Sequence, residues 1–324
     1  MRGPALGGAF VAIVIVATWV AVVAGGARPS QTPPGTDIVA EVRAAMSSGG
    51  WIKGRETLGA FRSAHGDTPD VFDALSWVAR GALSAGQLDK AIQYADEART
   101  GAESLKRSTG GGDAHLIAAL GAAIEVKAFA LVEEGARSDA VHFLRTESIT
   151  YRDSPLGQEI AANLDLVSLE GKPAPRIEAG MSVGPRLHEA AAGESPRQPT
   201  FVFFWAHWCQ ECKAESSMIA HLVEKYRARG LAIVAPTRRY GYIEAGRAVS
   251  PDREFRHLVQ VRDSFYSFLK REPVPVTDAN HKAFGIAAVP MHVLIDRDGI
   301  VRLYRPGRMP EEELESAILQ LLDR

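Results

Sequence analysis

Two cysteines occur in 324 residues, three positions apart, in Trp208-Cys209-Gln210-Glu211-Cys212. The apolar run Phe201 to Trp205 precedes them and a segment of helical periodicity follows. If that segment is a helix, Cys209 lies at its N-terminus, where unpaired backbone N–H groups and the helix dipole favour a thiolate. A chain that places all its cysteine in one such pair points to thiol–disulfide chemistry. An inert structural disulfide is the bland alternative, although a four-residue loop removes little unfolded-state entropy. Structural zinc uses the same spacing, but a four-thiolate site needs two more cysteines. His207 and His221 cannot both complete a mixed site, because His207 is on the turn beside the pair and His221 is more than two turns beyond Cys212. Lys213, not histidine, follows Cys212, so covalent haem attachment is not suggested either. No metal and no cofactor are expected.

The elements that must position this pair follow from periodicity. Phe201 to Trp205 reads as a buried strand, and Lys213 to Arg229 as a helix with Met218, Ile219, Leu222 and Tyr226 on one face. Leu231 to Ala235 is a second strand, Arg253 to Leu269 a helix and Val274 to Val276 a short strand. His292 to Ile295 and Val301 to Tyr304 flank an Asp296-Arg297-Asp298-Gly299 turn, and Glu311 to Leu322 is a terminal helix. This order describes an α/β domain whose first helix carries the cysteines. Tyr240 to Ser250 reads as a loop near the same edge.

The first half has a different grammar. Val71, Leu75, Val78 and Ala82 fall on one helical face, Gly86 marks a turn, and Leu88, Ala91, Ala95 and Ala98 continue beyond it. With Ala79, these small residues match the helix-turn-helix unit of a tetratricopeptide repeat. A weaker copy runs through Ile124, Ala128 and Leu131, Gly135, then Ala140 and Leu144. The turn glycines lie further apart than one repeat, so a loop around Thr109 to Asp113 is expected to interrupt the stack. A plain helical bundle is the alternative. Such a domain, over 38–168, offers a surface for a partner protein, or serves as a spacer or homodimer face. A Pro/Gly-rich seam from Leu169 to about Pro199 separates it from the second domain, 171–324. The fold class is therefore two-domain, all-α followed by α/β.

Residues 1–27 are set apart again. After Arg2 no charged side chain occurs until Arg28, and Phe10 to Val23 is almost wholly apolar. With a buried core helix as the bland alternative, this is a signal peptide, with small residues Gly25-Gly26-Ala27 at a cleavage site, or a membrane anchor through residues 5–27. Either reading places the rest of the chain outside the cytoplasm, in a periplasmic or other extracytoplasmic compartment where disulfides persist. A net charge of -2 gives no polycationic surface, and no nucleic-acid partner is expected.

Residues 171–324 resemble the TlpA/ResA-like thiol-disulfide oxidoreductases of thioredoxin fold. The resemblance rests on Gly171-Lys172-Pro173-Ala174-Pro175, on Phe204-Trp205-Ala206-His207-Trp208-Cys209-Gln210-Glu211-Cys212-Lys213-Ala214-Glu215, and on Gly285-Ile286-Ala287-Ala288-Val289-Pro290 with the turn that follows. It implies that Cys209 attacks a partner disulfide and that Cys212 resolves the mixed disulfide. Val289-Pro290 would be a cis-proline segment facing Cys209, with the Val289 backbone, Trp208 and an apolar lip at Met291 receiving an extended peptide. Glu215, on the helical face of Cys212, would handle that cysteine's proton. The resemblance further implies a protein disulfide or dithiol as partner, an apocytochrome c among the candidates, and an upstream membrane electron donor. Two departures stand out: Phe203 occupies the strand position where thioredoxins hold a buried aspartate, and Glu211 stands where many relatives carry proline. Negative charge at Glu211 disfavours a nearby thiolate and leans the pair toward a reducing role. A non-catalytic helical scaffold and a peroxiredoxin-like peroxidase are the competing readings; no Pro-x-x-x-Thr element precedes Cys209 to support the peroxidase.

Overall fold

Small residues at helical spacing dictate the first half. In a computed structural model, which describes residues 37–110, 112–187, 198–244 and 247–323, six helices follow one another: α1 (Ile38–His65), α2 (Pro69–Ser84), α3 (Leu88–Thr109), α4 (Ala114–Glu133), α5 (Arg137–Thr150) and α6 (Leu156–Val167). The apolar segment 1–27 lies outside the described residues. Asp37 and Asp113 cap α1 and α4 by accepting backbone N–H bonds, and α1 breaks at Gly49 and Gly50. Ala79 and Ala82 on α2, and Ala91, Ala95 and Ala98 on α3, are all within 1% of full burial, so the two helices approach closely. Gly86 and Gly135 hold positive φ at the two hairpin turns, where a Cβ would be strained.

The architecture is an all-helical bundle. The loop expected around Thr109 to Asp113 does separate α3 from α4, but it is short, and most of the extra spacing between the turn glycines lengthens α3 and α4 to 22 and 20 residues. Apolar α4 is long enough to cross a membrane by length and composition, yet it packs against α2, α3, α5 and α6 as the central helix of the bundle.

The second half is α/β, as the alternation of strand and helix signals requires. Its main sheet has the order β3-β2-β7-β8, built from β2 (Thr200–Phe204), β3 (Ala232–Val234), β7 (Met291–Ile295) and β8 (Val301–Pro306). β3 runs parallel to β2, while β7 is antiparallel to both β2 and β8. Helices α7 (Gln210–Arg227), α8 (Pro251–Phe265), α9 (Asp278–Phe284) and α10 (Glu311–Leu322) complete the domain.

Period-2 alternation in β2 and β7 divides the interior. Phe201, Phe203 and Leu294 pack with Ile219, Leu222, Leu258, Leu314 and Ile318 from α7, α8 and α10. Val202, Phe204, Met291 and Val293 instead join Phe284 and Tyr304 in a core continuous with that of the helical bundle. Both faces of the sheet are thus covered, which is why β7 carries no exposed residue.

Three stretches depart from expectation. The seam is not a loose connector: Gly171 N–H donates to the Val301 carbonyl, Ala174 N–H to Gly299 and Val301 N–H back to Lys172, tying the chain to the edge of β8. Further on, β1 (Met181–Ser182) pairs with β6 (Pro275–Val276) in a separate small sheet. The expected loop Tyr240 to Ser250 contains a hairpin of β4 (Tyr242–Glu244) and β5 (Arg247–Ala248). The expected helix from Arg253 to Leu269 ends at Phe265, followed by a 3-10 turn over Ser267–Arg271.

Candidate active site

Strand β2 runs out at Phe204, and Trp205 and Ala206 continue it into the turn that begins α7. Trp205 is fully buried; its indole N–H donates to the Ala235 carbonyl at 3.1 Å, and its carbonyl accepts from Thr237 Oγ1 at 2.7 Å. This anchors the turn from beneath. Cys209 N–H donates to Ala206 O at 3.1 Å, and Cys209 becomes the N-cap of α7. Cys209 and Cys212 are joined in a disulfide with Cα atoms 5.3 Å apart.

The Cys212 N–H donates to Cys209 Sγ at 3.1 Å. In the reduced protein this orphan helix N–H and the helix dipole favour negative charge on Cys209. Glu211 is exposed to solvent, so its opposing charge is screened. Lys213 stacks its ammonium over the Phe265 ring at 4.9 Å. Cys212 is fully buried, and Cys209 retains only 4% exposure. The reason is the segment across from it: Cys209 Sγ lies 3.7 Å from the Val289 carbonyl oxygen, within reach of a reduced thiol's donation. The Val289-Pro290 peptide bond is cis. Trp208, 42% exposed, stands beside the disulfide with its ring edge-on to Tyr240 at 5.5 Å.

Met291 does not form a lip. It is fully buried in β7, opposite Phe204 and Pro306, because odd positions of this strand face the core shared with the bundle. The exposed neighbours of the cis peptide are Ala287 and Ala288 on its N-terminal side.

Glu215 lies one turn beyond Cys212 and is 2% exposed. Its Oε1 accepts from Met309 N–H at 2.7 Å, and its Oε2 lies 3.3 Å from His292 Nε2, both side chains being essentially sealed. Misalignment leaves Oε2 and the imidazole nitrogens without a formed hydrogen bond. Tyr266 is buried in the same core, and burial first, then the charge of Glu215, pushes its phenol up, so it stays protonated. Sequence reading missed His292 and Tyr266. The signal was register: His292 pairs with Phe203, so the strand position that lacks an aspartate has a titratable neighbour one strand away.

From sequence His207 stands out only as a possible metal ligand. It is buried 3.8 Å from Glu254, edge-on to Tyr240, Tyr242 and His257. Burial, helped by His257 and Lys213, pushes it down to about 4, so it is neutral at pH 7. Glu254 in turn accepts from the backbone N–H groups of Tyr240 and Gly241, fixing the loop on which Trp208 leans.

The arrangement is a redox-active disulfide at a helix start, opposed by a cis-proline turn and backed by a buried carboxyl. Comparison with known proteins agrees with it. A family model described as a thioredoxin-like domain matches residues 188–322. A thiol-disulfide oxidoreductase ResA of Bacillus thuringiensis subsp. konkukian is 26% identical over 123 residues, 37% of this chain and 62% of the relative. A thiol:disulfide interchange protein DsbE of Xylella fastidiosa is 24% identical over 158 residues, 49% of this chain and 72% of the relative. Among solved structures, a thiol:disulfide interchange protein of the thioredoxin family from Chlorobium tepidum TLS aligns over 46% of this chain and 95% of its own, at 20% identity and a TM-score of 0.37. The match thus spans just over three fifths of the Bacillus relative, and the C-terminal half of this chain is a thioredoxin-like domain.

Proposed function

We propose that the protein is an exported thiol-disulfide oxidoreductase that reduces disulfides in protein substrates. The observation that carries this reading is the placement of Cys209 Sγ at the start of α7, 3.7 Å from the Val289 carbonyl of a cis-proline turn. An extended peptide laid along Val289, against Trp208, brings its own disulfide to the attacking sulfur.

In the reduced enzyme, the Cys209 thiolate attacks one sulfur of the substrate disulfide and the other substrate sulfur leaves as a thiolate. Glu215 accepts the Cys212 proton, and the Cys212 thiolate attacks Cys209, releasing the second substrate sulfur and closing the enzyme disulfide. Two electrons pass to the substrate, and an upstream membrane dithiol donor restores the enzyme. The reducing direction rests on Glu211 in the first turn of α7, whose charge, weakened by solvent screening, leans against a very stable thiolate. An apocytochrome c is the substrate class that the family resemblance favours. The apolar stretch of residues 1–27 supports export, with the tetratricopeptide-like helical domain held outside the cytoplasm.

Insulin reduction with dithiothreitol as donor tests the reading. Cys209→Ser abolishes turnover, and Cys212→Ser accumulates an enzyme–substrate mixed disulfide that non-reducing electrophoresis detects. Unchanged turnover in Cys209→Ser refutes it.

A further inference from the structure

The loop that leads into the cis-proline turn is held by the helical domain. Ser138, fully buried at the N-terminal end of α5, donates its backbone N–H to the Gly285 carbonyl at 2.9 Å. Its Oγ accepts the N–H of Ala287 at 2.9 Å and that of Ala288 at 3.4 Å. Three successive backbone contacts therefore run from one side chain and its amide to residues 285–288, and Val289-Pro290 follows directly. Gly285 has φ 66, and a Cβ there would meet Arg137 Cβ at 2.5 Å, so the chain passes flush against α5. Arg137 is itself tethered, donating from Nη1 to the Val167 carbonyl at the end of α6. Behind the loop, Tyr304 of β8 donates to the Phe284 carbonyl at 2.7 Å, and its backbone N–H donates to Glu170 Oε1, which also accepts from Arg145 of α5.

We infer that Ser138 is a positioning residue for substrate docking: the helical domain sets the height and orientation of the Ala287-Ala288-Val289 edge on which a peptide is received. Ala287 and Ala288 are exposed, so without Ser138 their amides turn to solvent and the edge loses its fixed geometry. The disulfide, by contrast, is anchored by α7 and Trp205, which Ser138 does not touch. Binding of an extended protein substrate should depend on Ser138, whereas reduction of the disulfide by a small dithiol should not. This rests on the proposed oxidoreductase reading.

The test compares Ser138→Ala, Ser138→Thr and Ser76→Ala in the full chain. Ser76 is equally buried in α2 and bonds only within its own helix, to the Asp73 carbonyl, so its variant reports general loosening of the bundle. Ser138→Ala is expected to raise KM for insulin about five-fold, the loss of two modest hydrogen bonds in the docking edge, with kcat and the second-order rate of disulfide reduction by dithiothreitol unchanged. Ser138→Thr, which keeps the hydroxyl, is expected to restore KM, and Ser76→Ala to leave it alone. Hydrogen exchange at the Ala287 and Ala288 amides is read in parallel, with at least a ten-fold acceleration expected in Ser138→Ala. If that exchange is unchanged, or if Ser76→Ala raises KM as much, the inference is overturned. Should wild-type protein fail to reduce insulin, the oxidoreductase reading falls, while accelerated exchange would still report the clamp.

Discussion

Acid should loosen the redox face through two buried imidazoles. His207 and His281 are each 2% exposed, and burial, aided by His257 and Lys213 for one and by Arg238 for the other, pushes both down to about 4. An unfolded histidine takes its proton near pH 6.5, so between 6.5 and 4 the unfolded chain binds more protons and stability falls as the pH falls. At pH 5 each imidazole costs about 2 kcal/mol relative to pH 8, and about 3.5 kcal/mol once the pH is below 4. His115, raised by its hydrogen bond to Asp73, acts in the opposite sense, as do Asp139, Glu147 and Glu159, which burial raises. The wild-type profile is therefore a sum, and the imidazole contributions are isolated by difference. Urea unfolding at pH 7.5, 6 and 5 is compared for wild type, His281→Gln and His207→Gln. Each variant is expected to be less stable at pH 7.5 but to lose about 2 kcal/mol less than wild type on going to pH 5. Parallel pH profiles for wild type and both variants would refute the assignment, as would imidazole NMR titrations centred near 6.5 in the folded protein.

Two further substitutions probe the chemistry and the joint. Glu215→Gln keeps an acceptor for Met309 N–H but cannot take a proton, so insulin turnover should fall about 100-fold, with the loss in resolution of the mixed disulfide; stopped-flow detection of an unchanged resolving rate would leave Glu215 a purely structural acceptor. Gly285→Ala and Gly307→Ala both force alanine into positive φ, but only at Gly285 would the new methyl strike Arg137; Gly307 has nothing within 4 Å. Gly285→Ala should therefore cost about 1 to 2 kcal/mol more in urea unfolding than Gly307→Ala, and equal costs would mean that α5 yields freely.

What the sequence made legible was local. The cysteine spacing, the apolar run into Trp205 and the following helix were read correctly because each is a contiguous pattern, and β7 with β8 follows from alternation around the Asp296 to Gly299 turn. The helix hairpins turning at Gly86 and Gly135 were legible for the same reason. What escaped depends on pairing across long separations. β1 is two residues long and exists because β6, over ninety residues later, completes it. Met291 reads as a surface residue because its neighbour Pro290 is at the site; only the strand's alternation, together with the core on the far face of the sheet, shows that it is buried. His292 and Glu215 meet because α7 and β7 are neighbours in space, and no one-dimensional spacing encodes that.

The divided interior explains why a second domain matters to the site. Cys209 and Cys212 belong to the core formed by α7, α8 and α10, whereas Phe284, Ile286 and Met291, which bracket the cis-proline turn, belong to the core shared with the helical bundle. The two halves of the candidate site are thus packed on opposite faces of one sheet. They meet at the end of the β2–β7 ladder, where Phe204 stands opposite Met291. Side chains on a sheet alternate faces at every residue, so moving that register by one would exchange the two cores. Phe284 of α9 packs directly on Phe204, ring centroids 5.3 Å apart, and the core that Val202, Phe204, Met291 and Val293 enter continues from there into the bundle. A thioredoxin-like domain cut away from α5 would therefore lose both the Ser138 contacts and the packing of α5 against β8, and the docking edge would lose order before the disulfide does.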